Sequence, residues 1–143
     1  MEEILLGVDP GEKHTGIAFG RAGSVAPLDV IDSKNERYLI AQLAKIAIEN
    51  KVTKVIIGLP LNSEGKDTNQ SLKVRKFVKL LKITMKKPVE FVSEYNSTSE
   101  AIHGAIRTGI SQKRRKSDDG ISAALILKRY YREHEEFTSS SAS

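Results

Sequence analysis

Apolar residues in this chain fall into short runs bounded by turn formers, with longer stretches of helical period between them. Ile4–Asp9 is apolar without polar alternation, the pattern of a strand buried on both faces. Residues 15–20 and 24–31 predict two further strands, joined by Arg21-Ala22-Gly23. Such short connections make the three an antiparallel meander. Ser33-Lys34-Asn35-Glu36 has the form of a capping box. The helix it opens runs to about Asn50, with Leu39, Leu43, Ile46 and Ala47 on one face. Residues 55–58 form a short buried strand stopped by Leu59-Pro60, and a polar loop, 62–67, follows. A helix over 69–84 carries the apolar stripe Val74, Phe77, Val78 and Leu81. Pro88 introduces a strand over 89–92. Ser97-Thr98-Ser99-Glu100 is a second capping box, opening a helix to Thr108 that Gly109 stops. After a basic loop, the last helix spans 118–134 with Ser117 as its N-cap.

The order β-β-β-α-β-α-β-α-α predicts an α/β fold. Its five-stranded mixed sheet has three antiparallel strands, then two parallel ones reached by right-handed crossovers. Because every strand is apolar, helices are expected on both faces. The first, fourth and fifth strands end at Asp9, Gly58 and Val92, on one rim, where ligands of such sheets bind. No repeat or linker interrupts the chain, so residues 1–137 are read as a single domain. Residues 138–143 are read as a disordered polar tail.

Composition narrows the chemistry. The 143 residues hold no cysteine, which excludes disulfides, thiolate zinc sites and a cysteine nucleophile. Three histidines without a close pair argue against a histidine-built zinc site. The apolar run after Met1-Glu2-Glu3 is too short for a signal peptide or a membrane span, so a cytoplasmic protein is expected. Lys plus Arg number 23 against 18 Asp plus Glu, and the excess is local. Lys113, Arg114, Arg115 and Lys116 form one block, and residues 73–87 hold seven cations and no acid. Basic clusters of this kind attract polyanions.

Acids occupy the complementary places. Asp9 ends the first strand and leads into the turn Pro10-Gly11-Glu12-Lys13. Glu94 follows the last strand by two residues, and Asp118 and Asp119 open the last helix. Singly, each has an ordinary role: a hairpin turn, an exposed loop, a helix start favoured by the dipole. Together they place three carboxylates from three segments on one rim. Converging anions resist burial unless a cation joins them. All-oxygen ligands suit a hard cation, Mg²⁺ or Mn²⁺, and two such ions roughly 4 Å apart can hydrolyse a phosphodiester. Neighbouring helical residues diverge by about 100°, so one of Asp118 and Asp119 faces the site, and spacing does not choose between them.

The ordered set Asp9-Pro-Gly-Glu-Lys13 with Gly16-Ile-Ala, Gly58-Leu-Pro-Leu-Asn62, Glu94 with Ser97-Thr98-Ser99-Glu100-Ala101, and Lys113-Arg-Arg-Lys116 with Asp119 and Ala123-Ala124-Leu-Ile-Leu127 resembles the YqgF, or RuvX, family. The likeness extends to about Arg132. It implies a RuvC-like, ribonuclease H-like fold. It also implies a metal-dependent nuclease acting on branched DNA, as in Holliday junction resolution, or on pre-16S ribosomal RNA. It places the family's acids on Asp9, Glu94 and Asp119, and so selects Asp119 over Asp118. Asp9 would bridge two ions, with Glu94 and Asp119 each holding one. Lys13, Asn62 and the cations at 113–116 would bind nucleic acid, and a monomer or homodimer is expected. Three features depart from the family: Ser93-Glu94-Tyr95 stands where Asp-Glu-Arg is common, Glu12 and His14 stand for Thr and Arg, and Gly120 replaces a larger residue. The less positive turn keeps open a non-catalytic nucleic-acid-binding module, such as a ribosome-assembly factor. Asp9-Pro-Gly as the phosphate loop of an actin-like ATPase is a third reading, but that fold needs two such domains.

Overall fold

The computed structural model describes residues 2–93 and 118–142, with side chains of the last helix described over 121–134. The elements are β1 (Ile4–Asp9), β2 (His14–Arg21), β3 (Ser24–Asp32), α1 (Glu36–Glu49), β4 (Lys54–Leu59), α2 (Asn69–Met85), β5 (Val89–Ser93) and α3 (Asp118–Ala142). The second capping box and the helix expected over 97–108 lie outside the described residues.

The sheet order is β3-β2-β1-β4-β5. Strands β1, β2 and β3 pair antiparallel, while β4 runs parallel to both β1 and β5. Alternation along the strands divides the core in two. Leu6, Val8, Ile17 and Ile57 point to one face and pack with Leu39, Leu43, Val74 and Leu81 of α1 and α2. Leu5, Ala18, Ile56 and Val92 point to the other and pack with Ala123, Ile126, Leu127 and Tyr130 of α3. Among the described residues, α1 and α2 cover one face and α3 the other.

Three expectations are corrected. Strand β3 is largely exposed rather than buried, because it lies at the sheet edge; Ile31 alone of it is buried, and Val25 packs against the α3 core from its margin. A register shift between Ile17 and Ala18 sets Ala18 opposite Pro27, and a bulge and a proline both blunt an edge against further pairing. The N-cap of α1 is Asn35, not Ser33: its side chain accepts from the Tyr38 N–H at 3.0 Å. Ser33 is occupied by the Thr15 hydroxyl, 2.6 Å away. Helix α3 continues past His134, and the segment expected as a disordered tail is helical in backbone to Ala142. A helix already nucleated adds one hydrogen bond per residue, and no glycine or proline follows Gly120 to stop it.

Helix α2 starts with a capping box that pattern reading missed because its third partner is serine rather than Glu or Gln. The Thr68 hydroxyl accepts from the Ser71 N–H at 3.0 Å, and the Ser71 hydroxyl accepts from the Thr68 N–H at 2.7 Å. The Thr68 hydroxyl also donates to the Pro60 carbonyl at 2.9 Å, tying the helix to the loop after β4. Thr68→Ala is expected to cost about 1 kcal/mol, read as a lower urea midpoint with unchanged slope.

At the far end of the sheet, Lys54 of β4 pairs with Glu90 of β5 and donates to the Tyr130 hydroxyl of α3 at 3.0 Å. Burial opposes the charge of Lys54, but the hydrogen bonds to Glu90 and Tyr130 outweigh it and raise the ammonium from 10.5 to about 12. A raised folded-state value means the contribution is complete below 10.5 and is lost as pH rises through about 12. The lysine side chain is only 23% exposed, but Glu90 is 41% exposed and solvent screens the pair. Lys54→Met is therefore expected to lose about 1 kcal/mol at neutral pH. Urea unfolding followed across alkaline pH should show wild type and variant converging.

Candidate active site

Asp9 is the last residue of β1, opposite Gly16 of β2, and is half-buried. Its side-chain direction follows from the strand. Val8 belongs to the α1/α2 core, whereas Leu5 belongs to the α3 core. Gly7 lies so close beneath α3 that an added Cβ would sit 2.6 Å from Leu127 Cγ and 3.0 Å from the Ala123 carbonyl oxygen. Asp9, two residues beyond Gly7, therefore faces the α3 side.

The direction of α3 is fixed by the same contacts. Gly7 lies under Ala123 and Leu127, while Gly20, which pairs near Leu5, lies under Tyr131. The helix thus runs antiparallel to β1, with its N-terminus toward the Asp9 rim. Position 119 is one turn before Ala123. It is therefore near the end of α3 that lies toward this rim, on the sheet face to which Asp9 points. The missing Cβ at Gly7 lets α3 pack closely on β1 at Ala123 and Leu127.

Strand β5 ends on the same rim. Val8 pairs with Ile57, and Gly58 with Val92, so Asp9, Leu59 and Ser93 close three parallel neighbours. Glu94 is next in the chain and lies outside the described residues, as do Lys113, Arg114, Arg115 and Lys116. Of the three acids expected at the site, Asp9 has its side chain described, and Asp119 is placed by backbone alone. Among the described residues no three His, Asp or Glu side chains form a metal-holding group. The donors available to an ion at this rim are carboxylate oxygens, a set that fits a hard divalent cation and not a soft one.

The turn after Asp9 is held rigidly. A Cβ at Gly11 would sit 2.3 Å from the His14 carbonyl oxygen, so only glycine fits. The Lys13 carbonyl accepts from the Ser33 N–H at 2.9 Å, which with the Thr15–Ser33 hydroxyl pair ties the turn to the end of β3. Lys13 itself is exposed on the rim. Asn62 lies in the loop after β4. Its Oδ1 accepts from the Glu64 and Lys66 N–H groups at 2.9 and 3.0 Å, so this atom organises the loop. Sequence reading also missed a cavity of about 190 Å³ bounded by Pro10, Gly11, Glu36, Gln70 and Lys73. It includes Thr15, a neighbour of the α1/α2 core, and so opens on the opposite face from Asp9.

This architecture is shared with known proteins. T. thermophilus RuvC in complex with Holliday junction substrate superposes with a TM-score of 0.58, at 14% identity, over 92% of this chain and 96% of that chain. Fowlpox virus resolvase bound to Holliday junction DNA gives 0.52 at 15% identity, over 92% and 97%. At these identities the likeness establishes the fold, and that fold is the ribonuclease H-like α/β class of the RuvC type. Within it, residues 3–133 match the family described as "RuvX: Holliday junction resolvase". A protein of Chloroflexus aggregans named "Putative pre-16S rRNA nuclease" is 33% identical over 133 residues, covering 90% of this chain and 93% of the relative. One of Rickettsia typhi with the same name is 34% identical over 128 residues, covering 87% and 82%. The chain belongs to the RuvX family.

Proposed function

We propose that this protein is a divalent-metal-dependent endonuclease that hydrolyses phosphodiester bonds of structured nucleic acid, with the end of pre-16S ribosomal RNA as its substrate. The observation that carries the reading is Asp9, fixed at the end of a buried strand on the face where α3 begins. The names borne by the relatives at about a third identity support the RNA substrate. A four-way DNA junction is the second candidate, favoured by the family description and by the junction-bound neighbours.

Asp9, Glu94 and Asp119 would hold Mg²⁺ or Mn²⁺, as two ions. When bound, such ions polarise the phosphodiester and lower the pKa of a bound water. The protein's own part is positional. Strand β1 fixes the Asp9 carboxylate, and the turn locked at Gly11 presents Lys13 beside it. Lys13 and the cations at 113–116 would hold backbone phosphates on either side of the scissile bond. Asn62 would act by shaping its loop, since its carbonyl oxygen is already engaged.

The test is incubation of a pre-16S rRNA fragment and a four-way DNA junction with protein and Mg²⁺, Mn²⁺ or EDTA. Products with either metal and none with EDTA are expected, the RNA being cut faster. Salt-sensitive binding without product under any condition would replace the enzyme by a binding module.

A further inference from the structure

Helix α2 carries charge that the candidate active site does not use. From Asn69 to Met85 it has no acid, and its core side is Val74, Phe77, Val78 and Leu81. Lys76, Lys79, Lys82 and Lys86 are all exposed. Lys76, Lys79 and Lys82 recur every three residues and form one row along the outer side, each advancing about 4.5 Å, and Lys86 follows at the helix end as its left-handed C-cap. Arg75 is different: it pairs with Asp67 at 2.8 Å and lies over the Phe91 ring at 5.4 Å. Among the described residues, Arg75 is the one α2 cation with an acidic partner. Lys73 is also set apart, since it lines the cavity beside Pro10 and Gly11 together with Glu12 and Glu36. The row therefore starts near the turn that follows Asp9 and leads away from it, on the sheet face opposite α3.

We propose that this lysine row is a second nucleic-acid contact, which grips the sugar-phosphate backbone of a duplex arm leading away from the cleavage point. The proposal rests on the nuclease reading and adds to it where the substrate's flank lies. Four unpaired cations without intervening acid are costly to hold together unless a polyanion draws near. A duplex carries about one charge per 1.7 Å of axis with both strands counted, so the roughly 15 Å alongside the row holds about nine phosphates, part of which face it. Lysine suits this task because it meets phosphate as a point charge without fixed geometry. No aromatic side chain lies in the row, so base reading is not expected there. Leu72, Leu80 and Ile83 are exposed on the same side but are separated by lysines. Scattered apolar residues of this kind do not make a docking patch. A second copy of the chain would set one lysine row against another, which is repulsive.

The experiment compares wild type with Lys76→Gln/Lys79→Gln/Lys82→Gln, a change that preserves helix propensity. Binding is measured against salt, in EDTA, on the preferred substrate of the cleavage assay, built with a long duplex RNA arm, with a long duplex DNA arm, or with the arm trimmed. The slope of log affinity against log salt is expected to become shallower by about 0.9 for each phosphate that is no longer neutralised, for up to three phosphates. The change should appear with either long arm if phosphate alone is read, and with RNA alone if the 2′-hydroxyl contributes. The trimmed substrate should bind both proteins alike, and its cleavage rate at saturation should be unchanged. An unaltered slope on the long-armed substrates, or an equal change on the trimmed one, overturns the lysine row and leaves the nuclease intact. Wild type that binds none of the substrates overturns both. If the lysine variant is silent while Leu72→Ser/Ile83→Ser breaks up a dimer in sedimentation, the face belongs to a second copy and the proposal fails.

Discussion

Asp9→Asn is expected to lower metal-dependent cleavage at least about a hundredfold while leaving the fold and nucleic-acid binding near wild type. The substitution keeps the shape of the side chain and removes its charge. What disappears is the affinity of a hard cation for the site, and with it the stabilisation of charge developing on phosphate. Metal ions contribute several kcal/mol to such steps, and each 1.36 kcal/mol is a factor of about ten in rate. The fold should tolerate the change because Asp9 sits at the strand end, half-buried, after the fully buried Val8. Binding should persist because, on the proposed function, phosphate contacts come from cations such as Lys13 and not from Asp9. Single-turnover cleavage and filter binding on one preparation separate the two. Cleavage within a fewfold of wild type would remove Asp9 from the metal site.

Gly7→Ala is expected to destabilise the protein by about 1–3 kcal/mol, despite being the smallest side chain that can be added. Glycine within a strand is ordinarily a liability, and alanine at an open position would help. Here the new Cβ would meet Leu127 Cγ at 2.6 Å and the Ala123 carbonyl at 3.0 Å. Leu127 is fully buried, and Ala123 offers backbone, so relief requires α3 to lift. Leu127→Ala alone should cost about 2–5 kcal/mol through the cavity it leaves. Combined with Gly7→Ala it should cost less than the sum of the two, since each change relieves the other. Urea unfolding of the four-member cycle measures this, and strict additivity would show that strand and helix are not in tight contact. If Asp119 holds metal with Asp9 as proposed, lifting α3 should also slow cleavage more than the stability loss accounts for.

The central strands were legible because they are buried on both faces. Leu5, Leu6 and Val8, like Val55, Ile56 and Ile57, leave no polar alternation to misread, and the observed boundaries differ from the apolar runs by a residue or so. Where the reading failed, the deciding partner was remote in sequence. Ser33 looks like a cap until Thr15, eighteen positions earlier, takes its hydroxyl. Strand β3 looks buried until the sheet order places it at an edge. The place of Asp9 at a strand end could be read directly, but the face it points to depended on which helix covers Gly7, a contact 120 residues away in the chain. The charge excess between residues 73 and 87 was visible as composition. Its division into one paired arginine and a free-standing lysine row needed the helical phase and the position of Asp67.

Among the described residues one helix, α3, covers the sheet face formed by Leu5, Ala18, Ile56 and Val92, and ribosomes deliver it after the five described strands. At about 5–20 residues per second, seconds separate emergence of Val92 from that of Leu127. During that interval Leu5, Ala18, Ile56 and Val92 lack the α3 side chains that pack on them in the finished fold. On the proposed function, Asp119 arrives with the same helix, so the proposed metal site would be completed late in synthesis. A nascent chain with its five described strands already made would be sticky before α3 closes that face.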